Sequence, residues 1–167
     1  EDMLEKESCL DDGIDVVAIM TPNDSHFKYS TMALDTGFHV ICDKPMTNSL
    51  DEAIELHKKV LKSGRHFCLT HNYTGYPMVR QAKSMIEQGD IGDIRLVQVD
   101  YIQGGRANED KTDPVSGPRS WKFNKDKSGE SLVLGDIGTH AHNILRYVTG
   151  LEVKSLNADI GSIVPGR

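Results

Sequence analysis

The feature that most constrains this chain is the alternation, through its first 74 residues, of short apolar runs with amphipathic stretches. Asp15 to Met20 reads DVVAIM, a dense β-branched run of the kind expected of a buried parallel strand. Helix-like sequence follows from Asp24 to Thr36, and Gly37 stands where a C-terminal glycine belongs. A second strand reads from Phe38 to Cys42. Ser49-Leu50-Asp51-Glu52 then has the form of a capping box. Behind it Leu50, Ala53, Ile54, Val60 and Leu61 recur at helical spacing, Gly64 ends the run, and His66 to Thr70 reads as a third strand. Consecutive β-α-β-α-β elements with short connections imply parallel strands, right-handed crossovers and helices packed on the sheet.

The texture changes near residue 75. Pro77 suits the first turn of a helix with Met78, Ala82, Met85 and Ile86 on one face and Gly89 at its end. Ile94 to Gln103 alternates through Leu96, Val97, Val99, Tyr101 and Ile102, which predicts a long strand. Gly104 to Ser131 has little periodicity, and a loop of that length in a compact domain is usually functional or mobile. A last helix is expected over Thr139–Thr149, with Ala141, Ile144, Leu145 and Val148 inward and Gly150 as its stop; a final strand is expected near Glu152. The pattern divides the chain into 1–74, part of an α/β nucleotide-binding domain, and 75–167, the opening of an α+β domain.

Composition excludes several classes. A net charge of −6 argues against phosphate-backbone binding as a main task, so no nucleic-acid partner is expected. No apolar run approaches the ~20 residues of a membrane span, and no basic-then-apolar leader is visible. Cys9, Cys42 and Cys68 are odd in number and widely spaced, which reads as reduced thiols in a cytoplasmic protein. The chain begins Glu1-Asp2 without an initiator methionine, so the start of the gene is expected elsewhere.

Four stretches are candidates for chemistry. Thr21-Pro22-Asn23 follows the carboxyl end of the first strand, where open α/β sheets bind ligands; by spacing alone it reads first as a β-turn. Cys42-Asp43-Lys44-Pro45 follows the second strand, so Lys44 either projects into the same crevice or is a surface lysine in a turn. Asp136 and His140 are four apart at the head of a helix, which puts both on one face. A histidine beside a carboxylate is a general acid/base arrangement; a helix cap with a structural histidine is the alternative. Asn72, Tyr73 and the single tryptophan, Trp121, either line a substrate pocket or are turn residues and a loop anchor. His140-Ala141-His142 invites a metal reading, but on a helix alternate residues lie about 200° apart and cannot converge, so no metal site is assigned.

In their order, Val16-Val17-Ala18-Ile19-Met20-Thr21-Pro22-Asn23 with His26, then His39-Val40-Ile41-Cys42-Asp43-Lys44-Pro45, then Gly135-Asp136-Ile137-Gly138-Thr139-His140, closely resemble the Gfo/Idh/MocA oxidoreductases. The resemblance runs over nearly all of the chain. It implies a Rossmann-type parallel sheet followed by an α+β substrate domain with a mostly antiparallel open sheet. It implies NAD or NADP as cofactor and a sugar, polyol or related hydroxy compound as substrate. Thr21, Pro22, Asn23, His26, Lys44 and Pro45 would face the cofactor; Asn72, Tyr73, Trp121, Asp136 and His140 the substrate; Lys44, Asp136 and His140 would be catalytic. His140 would take the hydroxyl proton, and Asp136 would orient the substrate or the histidine. Asp43 departs from the family's usual glutamate.

None of the 15 glycines forms the Gly-rich turn that opens the family, and the family's substrate domain continues well past residue 167. The chain therefore reads as the middle of a longer enzyme, inactive alone, whose complete form is expected to be a homo-oligomer. Two other functions remain: a non-catalytic nucleotide or sugar sensor using the same cleft, and a metal-dependent hydrolase built on His140 and His142.

Overall fold

A computed structural model of the 167-residue chain describes residues 2–103, 112–113, 117–118, 121–130 and 133–161. The chain packs as two units: Glu1–Thr70 with Asn124–Gly135, and His71–Phe123 with Asp136–Arg167.

The first unit is built on three parallel strands, β1 (Val16–Ile19), β2 (His39–Cys42) and β3 (Phe67–Leu69), in the order β1-β2-β3. The register aligns Val17 with Val40 and Phe67, and Ile19 with Cys42 and Leu69. Side chains alternate across a strand, so these residues share one face. Helices α2 (His26–Asp35) and α3 (Leu50–Ser63) connect the strands. The core gathers Ile19, Ala33, Leu34, Phe38, Val40, Cys42 and Leu56. Leu4, from the short helix α1 (Asp2–Ser8), joins it, an element that periodicity had not signalled. Leu56 is wholly buried, which contributes about 1.5–3 kcal/mol relative to exposure.

Helix α3 is bounded as its sequence demands. The Ser49 side chain accepts from the Glu52 N–H at 3.2 Å, and Glu52 reaches back to accept from the Asn48 N–H at 3.3 Å. Gly64 closes the helix at φ +66°, a left-handed position that suits glycine.

In the second unit, α4 (Pro77–Glu87) packs against α6 (Thr139–Thr149), with Lys83 Nζ 4.6 Å from the centre of the Tyr147 ring. Two-residue strands β4 (Thr112–Asp113) and β5 (Gly117–Pro118) pair antiparallel. The one-turn helix α5 (Lys125–Ser128) belongs to the first unit.

Several expectations are corrected. The strand expected over Ile94–Gln103 is absent, as is the one near Glu152. Alternation marks which residues share a face, but a strand also needs a partner for its N–H and C=O groups. No described residue pairs with either segment, and Leu96 and Ile102 are 86% and 91% exposed. The DVVAIM strand is covered on one face only among the described residues: Val16 on β1 and Ile41 on β2 remain exposed. Helix α2 begins at His26, after a 3-10 turn at Asn23–Ser25. Of the expected Gly104–Ser131 loop, residues 104–111, 114–116, 119–120 and 131 lie outside the described residues. No helix among the described residues is long and apolar enough to cross a membrane.

Candidate functional site

In the first unit the turns after β1 and β2 are tied together at the carboxyl ends of the strands. Asn23 is nearly buried, and its side-chain amide donates to the Ser128 carbonyl at 3.2 Å. Ser25 Oγ donates to Thr21 Oγ1 at 2.6 Å and approaches the Pro22 carbonyl at 2.8 Å. His26, 1% exposed, places Nδ1 2.7 Å from the Pro45 carbonyl oxygen and Nε2 2.9 Å from that of Thr21.

Asp43 turns its carboxylate back along the chain. It accepts from the Lys44 N–H at 2.8 Å and from the Thr70 hydroxyl at 2.7 Å, so it joins the ends of β2 and β3. Lys44 is half-buried beside it. Below this turn, burial pushes the Cys42 thiol up to about 11, with the nearby Ser30 hydroxyl opposing the rise and the Asp43 charge adding to it.

A π-helical turn, Leu134–Gly138, leads directly into α6 of the second unit. Such wide turns recur at functional sites. Asp136 lies within it, and its carboxylate is 3.4 Å from Lys122 Nζ. His140, 6% exposed, is on the first turn of α6. Its ring is 4.6 Å from that of Tyr73 and meets His71 edge-on at 5.6 Å. The Tyr73 hydroxyl is in turn 2.6 Å from that of Tyr101.

Residues 1–73 match the model described as an oxidoreductase family with an NAD-binding Rossmann fold, and residues 79–167 match the GFO/IDH/MocA C-terminal domain. The chain belongs to the Gfo/Idh/MocA oxidoreductase family. It is 36% identical over 166 residues to the uncharacterized oxidoreductase YfiI of Bacillus subtilis, covering 99% of this chain and 42% of that protein. It is 37% identical over 161 residues to levoglucosan dehydrogenase of Pseudarthrobacter phenanthrenivorans, covering 96% and 39%. A crystal structure of an inositol dehydrogenase homolog from Azotobacter vinelandii, complexed with NADH and myo-inositol, superposes with a TM-score of 0.76 at 33% identity, over 88% of this chain and 36% of that one. The chain thus spans about two fifths of the length of the curated relatives it matches.

Within this Gfo/Idh/MocA chain, the structure gathers Thr21, Asn23, His26 and Pro45 into one bonded group in the first unit. It gathers Tyr73 and His140 in the second, and it joins Asp136 to Lys122, the neighbour of Trp121. Asn72 is exposed. His140 and His142 lie on different sides of α6, one buried and one exposed, and among the described residues no group of three His, Cys, Asp or Glu could hold a metal ion. Sequence reasoning did not assign Thr70, Tyr101 or Lys122. Lys122 is adjacent to Trp121, which is the signal that could have found it; Tyr101 carries only the alternation of a strand.

The strand-end donor set suits part of a dinucleotide. The Thr21 hydroxyl, the Asn23 amide and the Lys44 ammonium are neutral polar groups and one cation. They match ribose hydroxyls and a carboxamide. The pyrophosphate is served elsewhere in such folds by a Gly-rich turn, which this sequence does not contain.

Proposed function

We propose that this chain is part of an NAD(P)-dependent dehydrogenase acting on a CH–OH group of a sugar, polyol or related compound. The carrying observation is the head of α6, where a nearly buried imidazole follows a carboxylate held by a lysine. That is the equipment of proton transfer, for which a passive sensor has no need. The names of relatives support the substrate class: one is a levoglucosan dehydrogenase, another a D-xylose 1-dehydrogenase using NADP(+), and a solved relative holds myo-inositol.

Bound NAD(P) would supply a hydride acceptor. Thr21, Pro22, Asn23, Lys44 and Pro45 would hold its nicotinamide half at the strand ends. Lys44 would also stabilise the substrate oxygen as it loses its proton, because a nearby cation favours the anionic form. His140 would receive that proton on its imidazole. Tyr73, packed on the ring, would keep it oriented and line the substrate side with Asn72 and Trp121. Asp136 would accept a substrate hydroxyl. In this reading residues 1–74 serve the cofactor and 75–167 the substrate. The complete protein would form homo-oligomers in a reducing, cytoplasmic setting, in keeping with the three free cysteines of this chain.

The test is a panel of sugars and polyols offered to the full-length gene product with NAD and with NADP. Substrate-dependent growth of reduced nicotinamide is expected with at least one pair. Failure across the panel by a folded protein that binds neither cofactor would refute the proposal.

A further inference from the structure

We infer that His26 carries a proton on both ring nitrogens and braces the two strand-end turns, as a positioning residue and not as a cofactor contact. Both ring nitrogens face backbone carbonyl oxygens, Pro45 at 2.7 Å and Thr21 at 2.9 Å. A carbonyl oxygen only accepts hydrogen bonds. A neutral imidazole owns one N–H and one bare nitrogen. Either neutral tautomer therefore satisfies one contact and sets a lone pair against a lone pair at the other. Flipping the ring replaces both nitrogens by carbons and loses both bonds. The imidazolium alone donates twice.

Burying a cation is costly unless its protons are met. Here each N–H has a carbonyl dipole in line, and bonds from a charged donor are the strong ones. At 1% exposure the ring has no room to address a dinucleotide directly. What it does reach is the main chain. It fixes Thr21, at the end of β1, relative to Pro45, the residue after Lys44. Their spacing governs where Lys44 and Asn23 are presented.

His39 makes the opposite demand in the same unit. Its Nδ1 accepts from the His66 N–H at 2.8 Å, so that nitrogen must be bare. Two histidines under one set of conditions should thus show opposite ring states.

The protonation state is independent of the dehydrogenase reading, whereas the role in presenting Lys44 rests on it. The experiment is a long-range proton–nitrogen correlation on full-length protein with nitrogen-15 histidine, at neutral pH. His26 is assigned by its contacts to Pro45 and His39 by its contacts to His66. Two protonated nitrogens are expected at His26 and a bare Nδ1 at His39. A bare nitrogen at His26 would overturn the inference without any variant having to fold. The positioning role is read from His26→Gln, which keeps a single amide to serve both turns. About a tenfold loss of kcat is expected from displaced Lys44; a folded variant with wild-type kcat would remove that role. A wild-type protein that shows doubly protonated His26 but turns over no polyol or sugar would count against the dehydrogenase reading and leave the brace standing.

Discussion

The two candidate regions are held in place by different means. At the strand ends of the first unit, most ties run to the main chain: His26 to two carbonyls, Asn23 to the Ser128 carbonyl, and Asp43 to the Lys44 N–H, with the Thr70 hydroxyl as its side-chain partner. At the head of α6, ties between side chains are prominent: His140 with the rings of Tyr73 and His71, Tyr73 with Tyr101, and Asp136 with Lys122. A backbone-held group moves only if the fold moves. A group held by side chains can be altered one contact at a time. The first region should therefore report on stability as well as binding, and the second on chemistry with little change in stability.

Substitutions can break this contrast. His140→Ala has the largest expected effect, a fall in kcat of roughly 10²–10⁴-fold with cofactor binding retained, measured by steady-state kinetics and NADH titration. Equal losses in kcat and in cofactor affinity would blur the two regions. Leu56→Ala removes a wholly buried side chain beneath the first sheet and should cost about 2–5 kcal/mol in denaturant unfolding, since the helices it anchors carry the strand-end turns.

Lys122→Met comes next. Its ion pair with Asp136 is 41% exposed on the lysine side and 16% on the aspartate side, so the stability change should be under about 1 kcal/mol. Turnover should nonetheless drop about tenfold, with Lys122→Arg recovering most of it, because the charge at the carboxylate is what matters. A stability loss larger than the kinetic one would show Lys122 to be structural.

The last effect is a pH dependence of stability. Because folding raises the Cys42 thiol from its ordinary 9.0 to about 11, the folded state favours the protonated form. Its contribution is complete below 9.0 and is lost as pH rises toward about 11. Unfolding followed across that window should show the decline, and Cys42→Ala should flatten it. In native protein at neutral pH, an alkylating reagent should mark exposed Cys9 and Cys68 and spare Cys42.

The first sheet was legible because its signals are local. Period-two and period-3.6 patterns alternate, and Ser49 and Gly64 mark the ends of α3 from their own chemistry. Helix α1 escaped because seven residues with one buried leucine carry too little periodicity. The expected strand at Ile94–Gln103 failed for the converse reason, as its alternation is clear but no described residue pairs with it. The placement of Asn124–Gly135 on the first unit was invisible, because it depends on single amide bonds such as Asn23 to Ser128 across 105 residues. At the site, the sequence named Asp136 and His140 on one helix face but not the π-helical turn that carries Asp136, since spacings of four nearly coincide in the two geometries. The family resemblance puts His26 toward the cofactor, while the two carbonyls that enclose its ring belong to turns that only the fold brings together.

A fluorescence titration of NADH and NADPH into the complete gene product, with His140→Ala alongside, tests the dehydrogenase reading most directly. Saturable binding of one cofactor by both proteins is expected, with substrate-dependent reduction in the wild type alone. A folded complete protein that binds neither cofactor would contradict it.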